Sequence, residues 1–240
     1  MKRLGLLTLL ALLIVQCAFA GDNAQIDVIG FDGATKYFAF EQYGTQDGSG
    51  FPYSEIYFIE VATNEWAAKP VKMMLEGGDY VCEELESVRQ QVRRKAIPTL
   101  RKLGLTSAWE GTKVLHDIDK DMGYTENSRK SFSFELGPEK LVINVKEKEV
   151  AGSDEWGLGP DQLLELTLKG SETGSLVLQK DKKLPASRKG ARNYEICGVY
   201  TVKEHGALVA LIGYHRSPGF EGPDKRYIAV STGKLATGLE

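Results

Sequence analysis

Several things are missing from this sequence, and each absence removes a class of protein. Neither GxSxG nor HExxH occurs, so the nucleophile elbow of the α/β-hydrolases and the zinc-binding protease helix are excluded. No apolar run reaches the ~20 residues that a membrane-crossing helix requires. There is no basic excess: 30 Lys and Arg stand against 33 Asp and Glu, a formal charge of −3, which argues against a nucleic-acid partner. Cysteine is scarce, three in 240 residues, too few for a disulfide-dense scaffold. Apolar residues make up 42% of the chain, enough for a core of ordinary size, so disorder is not expected.

What is present begins with an address. Lys2 and Arg3 precede an apolar run from Leu4 to Val15, and Ala18-Phe19-Ala20 precedes Gly21, the layout of a cleaved secretory signal over residues 1–20. A lipid anchor would use Cys17, but the preceding Gln16 is too large and polar for the usual lipoprotein cleavage site. The expected mature chain is exported, periplasmic or secreted, and soluble. Loss of Lys2 and Arg3 takes its formal charge from −3 to −5. Cys82 and Cys197 are then the two cysteines left. In an oxidising compartment they are expected to form a disulfide closing a long loop, worth about 4 kcal/mol in the chain-entropy treatment.

Periodicity predicts one mainly-β domain over residues 21–240 with a single packed amphipathic helix, an α+β chain. Strands are predicted over 25–31, 36–43 and 54–61, with Asp32-Gly33 supplying the positive φ of the first hairpin. The run EIYFIEV is apolar on both faces and belongs inside a sheet covered on both sides. Near 82–103 the period changes: Leu85, Val88, Val92, Ala96 and Leu100 draw one stripe on a helix, kinked or restarted at Pro98 and stopped at Gly104. Arg89, Arg93, Arg94, Lys95, Arg101 and Lys102 are read as its wet face. Further strands are expected over 140–146, 164–168, 175–180, 194–203, 207–216 and 226–231, with Leu164, Leu166 and Leu168 forming a dry face. Antiparallel meanders in the first and last thirds share a plan: strand, DGA or HGA, strand, a Gly-Phe loop with proline, strand. Their dry sides are expected to meet in one interior, as a sandwich or a partial propeller-like arrangement.

The stretches GFDGATKYFAFEQYG and SEIYFIEVATNEW resemble a blade of the periplasmic propeller repeats. Together with DGSGFPYSEIYFI and PGFEGPDKRYIAV, they make the mature chain similar to a bacterial family of predicted secreted proteins of unknown function. That resemblance implies export and carries no catalytic residue across. A helix near residue 90 has no place in a blade, which favours a single mainly-β domain over a complete propeller.

Candidate site residues cluster in the two Gly-Phe loops. Asp47, Glu221 and Asp224 offer oxygens, and Phe51, Tyr53 and Phe220 offer flat faces, the makings of a saccharide or peptide groove. The alternative is that Gly48 and Gly50 take positive φ and the loop only turns the sheet. Asp117, Asp119 and Asp121 alternate like the start of a calcium loop, but the glycine comes one place late at Gly123 and Ser128 stands where a bidentate Glu is needed; no metal is assigned. His205 and His215 stand at opposite ends of one predicted strand and cannot share an ion. No cofactor and no catalytic residue is assigned. The expectation is an exported non-enzymatic binding or envelope-associated module whose partner is an envelope polymer, peptide or protein. The alternative is a carboxylate-dependent hydrolase of a cell-envelope polymer, marked by a deep cleft with two carboxylates within about 10 Å.

Overall fold

The structure is a computed structural model and describes residues 21–75, 84–118, 128–150, 160–216 and 224–236. Among the described residues the strands in chain order are β1 (Gln25–Phe31), β2 (Tyr37–Thr45), β3 (Pro52–Glu60), β4 (Glu65–Met74), β5 (Thr112–His116), β6 (Ser131–Leu136), β7 (Glu139–Val150), β8 (Asp161–Gly170), β9 (Gly174–Lys180), β10 (Ala191–Val202), β11 (Ala207–Arg216) and β12 (Asp224–Thr232), with one α-helix, α1 (Leu85–Lys102), between β4 and β5. They form three four-stranded antiparallel sheets, ordered β1-β2-β3-β4, β6-β7-β8-β9 and β12-β11-β10-β5.

The side-chain alternation of β11 shows how the sheets stack. Leu208, Ala210, Ile212 and Tyr214 point to one face and pack with Leu141, Ile143, Leu164, Leu166 and Leu168 of β7 and β8. Ala207, Val209 and Leu211 point to the other and pack with Phe31, Phe38, Phe40 and Ile59 of β1 to β3. The C-terminal sheet is therefore the central layer, dry on both sides, which is why β11 is buried at nine of its ten positions. The N-terminal sheet lies between it and the helix. Ala39, Ile56 and Phe58, on the reverse of β2 and β3, pack against Val92 and Ala96 of α1. EIYFIEV is two-faced for that reason. Because the helix takes the outer face of the N-terminal sheet, the sheets stack as a layered sandwich and not as blades around an axis.

The helix runs through Pro98 without a break and ends at Leu103, after which Gly104 takes φ 70°. Its wet-face assignment needs correction at two positions. Arg89 and Arg93 both reach Glu41, at 3.1 and 2.6 Å, and both pair with Asp27. Glu41 is buried on β2 and also accepts the Ser54 hydroxyl at 2.8 Å, so these two arginines fasten the helix to the sheet. The first hairpin differs as well. Its positive φ, 57°, falls at Thr35, and the Asp32 carboxylate closes the turn by accepting the N–H groups of Ala34 and Tyr37. Cys197 is buried between the central and N-terminal sheets, while Cys82, its expected disulfide partner, lies outside the described residues.

Candidate functional site: a trench on the edge of the central sheet

The edge strand β12 ends the central sheet, and its outward N–H groups would be open to any passing strand. The chain closes three of them itself. Lys225 donates to the Asp22 carbonyl at 2.9 Å, Tyr227 to Gln42 Oε1 at 3.2 Å and Ser231 to Asn64 Oδ1 at 2.9 Å. The flanking layers rise on either side. One wall comes from β3 and β4 and the other from the short turn at Ala186–Arg188, leaving a trench of about 720 Å³ over Arg226 to Ile228. A second hollow of about 540 Å³ continues it past Ala229 and Val230, sharing Trp66, Ser187, Arg188 and Ile228 with the first.

Strand pleat builds the first wall. Tyr53, Glu55 and Tyr57 are two apart on β3 and so face the same way. Phe40, Tyr57 and Trp66 form a ladder from core to surface. Phe40 and Tyr57 stack at 5.2 Å and 14°, and the Trp66 ring lies tilted on Tyr57 at 5.3 Å and 31°. The ladder holds the Trp66 indole in place while leaving that residue 56% exposed. Beneath it Glu55 accepts from Tyr57 Oη at 2.6 Å, Gln42 Nε2 at 2.7 Å and Lys72 Nζ at 2.9 Å. Burial pushes the Glu55 carboxyl up, but Lys72 and the hydrogen bonds from Tyr57 and Gln42 outweigh it and hold the group below its ordinary range. Glu55 is thus a carboxylate at neutral pH. Burial, with Glu55 alongside, keeps Tyr57 a neutral phenol.

The far end of the trench is set by Asp22. It accepts from Tyr53 Oη at 3.0 Å and from Arg226 at 2.5 Å, and its N–H donates to Asp224 Oδ1 at 3.2 Å. The Arg226 guanidinium lies 4.8 Å from the Tyr53 ring centre. Burial pushes the Asp22 carboxyl up, with Arg226 opposing. Room for the Tyr53 hydroxyl exists because position 44 is glycine: a Cβ there would lie 2.7 Å from Tyr53 Oη and 3.2 Å from Asp22 Oδ1. On the opposite wall Arg188 is fixed by two 2.7 Å bonds to Asp181 and a 3.0 Å bond to Tyr194 Oη.

Of the six loop residues singled out in the sequence, Tyr53 lines the trench and Asp224 stands behind it, joined through Asp22. Asp47 and Phe51 belong to the β2–β3 turn. There Asp47 Oδ1 accepts the Gly48 N–H at 3.0 Å, Gln46 and Phe51 close the loop at 2.9 Å, and Gly48 and Gly50 take φ 73° and 70°. Phe220 and Glu221 lie outside the described residues, as do Asp119 and Asp121, while Asp117 pairs with Arg129 at 2.5 Å. Among the described residues no cluster of metal-ligating side chains occurs. Gln42, Glu55, Trp66, Arg188 and Arg226 carry no motif. Period-two spacing of Tyr53, Glu55 and Tyr57 was the one signal that could have pointed to the wall.

A family model described as "Predicted secreted protein (DUF2259)" matches residues 39–233. No curated protein and no solved structure matches the chain. Among the described residues no helix is long and apolar enough to cross a membrane.

Proposed function

Since the chain belongs to this family of predicted secreted proteins, we propose that it is an exported binding module and that its trench holds a saccharide chain of the cell envelope. The observation that carries the reading is Trp66, an exposed indole braced from below by Tyr57 and Phe40. Sugar rings present an apolar C–H face and a rim of hydroxyls. A flat aromatic platform meets the first, and the Lys72–Glu55 pair, which reaches the trench surface, meets the second. Because the platform already rests on Tyr57, little ordering entropy is lost on binding.

Two features favour this ligand over others. The outward N–H groups at 227 and 231 are closed by Gln42 and Asn64, so an added peptide strand finds no consecutive run of open backbone. Among the described residues lining the first hollow of the trench, Glu55 is the one carboxylate, and it is held ionised by Lys72, Tyr57 and Gln42; this favours binding over acid–base hydrolysis, which uses a pair. Titration with oligosaccharides released from peptidoglycan and from capsular polysaccharide, followed by tryptophan emission, tests the proposal. Saturable change in the wild type, lost in Trp66→Ala and retained in Trp66→Phe, is expected. Binding that is indifferent to Trp66→Ala would refute it.

A further inference from the structure

The other edge of the central sheet borders a second cleft of about 710 Å³, where α1 overhangs β1 and β5. The helix has two working faces. Val88, Val92 and Ala96 are buried against the sheet, while Gln90, Arg94, Ile97 and Leu100, three or four residues apart, line the cleft. The half-buried Val28 and Ile29 supply the remaining apolar surface, backed by the buried Ile26 and Ile56. Ile97 is 38% exposed at its mouth, a large aliphatic side chain left partly open to water.

The charges around this apolar space are matched with one exception. Asp27 pairs with Arg89 and Arg93, and Glu110 pairs with Lys113. His116 shares a hydrogen bond with the Tyr200 hydroxyl, and Gln90 donates to Glu86. Among the described residues Arg94 is the lining cation with no carboxylate partner. A cleft within the usual ligand range of about 300–1,000 Å³, with an aliphatic strip between matched charges and, among the described residues, one unmatched positive charge on its rim, is complementary to an aliphatic chain that ends in an anion.

We propose that this cleft binds a long-chain fatty acid, its alkyl chain against the isoleucines and Leu100 and its carboxylate against Arg94. The site is independent of the trench and shares no lining residue with it. The test is titration of the delipidated, exported chain with the fluorescent fatty acid cis-parinaric acid. Saturable binding is expected, reversed by palmitate and much less by hexadecanol, which has the same chain without the charge. Arg94→Glu should weaken binding about tenfold or more, as loss of a charge-assisted contact implies, and Arg94→Lys should retain most of it. Ile97→Asp should weaken binding to a similar degree. Both positions are solvent-exposed, so circular dichroism melts should match the wild type. Absence of saturable binding, or binding unchanged in both Arg94→Glu and Ile97→Asp, would overturn the proposal. So would displacement by lysophosphatidic acid but not palmitate, or loss of binding in Trp66→Ala, which would put the probe in the trench.

Discussion

Acidification should weaken this fold through one histidine. His215 on β11 is 2% exposed, and its pKa is pushed down to about 4 from 6.5, first by burial and then by Lys225 and Lys130, with Glu195 opposing. The native state therefore keeps the ring neutral where the unfolded chain would protonate it. A depressed histidine pKa gives stability that is complete above pH 6.5 and lost as pH falls from 6.5 toward about 4, because the unfolded chain then binds the extra proton. The gap between those values corresponds to about 3 kcal/mol, of which about two-fifths is gone by pH 5.5. Carboxylates with lowered pKa, Asp181 among them, add their own loss in more acid solution, so the comparison must be differential. Urea denaturation of the wild type and His215→Gln at pH 7.5, 6.5, 5.5 and 4.5 isolates the ring. Whatever His215→Gln costs at pH 7.5, the difference between the proteins should shrink as pH falls, by about 1 kcal/mol at pH 5.5. A difference independent of pH, or a proton NMR titration of this imidazole near its ordinary value, would refute the reasoning.

Other consequences follow from the packing. Gly44→Ala should drive Tyr53 off Asp22 and cost about 1–3 kcal/mol in denaturant melts, with a smaller loss in a Tyr53→Phe background, where the crowding hydroxyl is gone. Glu41→Gln removes the shared carboxylate of Arg89 and Arg93 and should cost about 3 kcal/mol. Asp27→Asn, at a side chain 46% exposed, should cost about 1 kcal/mol or less by the same assay. Trp66→Ala should lower stability by about 1 kcal/mol, since much of the indole is already in water, while removing saccharide binding. Equal damage to folding and binding would make Trp66 a core residue and not a contact.

Both terminal meanders were legible because their residues alternate at strand period. β1 and β11 have the predicted limits, and the dry faces meet through Phe38, Phe40, Val209 and Leu211. Leu164, Leu166 and Leu168 likewise pack inward as the alternation implied. The missed strands, β4, β5 and β6, all lie at sheet edges. β4 contains Pro70 and small residues such as Ala67 and Ala68 that tuck under the helix, so its pattern is neither alternating nor strongly apolar. β6 does alternate through Phe132, Phe134 and Leu136, and was readable. The arginines were misread for a different reason. A buried partner such as Glu41 is 48 residues from Arg89, and no local charge pattern reports it. The trench was least legible, since it arises from how three layers overhang one edge strand and not from a run of residues.

The central claim, that the trench on the edge of the central sheet is the contact surface, is tested most directly by mapping amide and indole NMR shifts during titration with envelope-derived oligosaccharide. The account predicts shifts grouped at Trp66, Tyr57, Arg188 and Ile228, on both walls and the floor. Shifts confined to the Asp47 to Phe51 turn, with the trench silent, would contradict it.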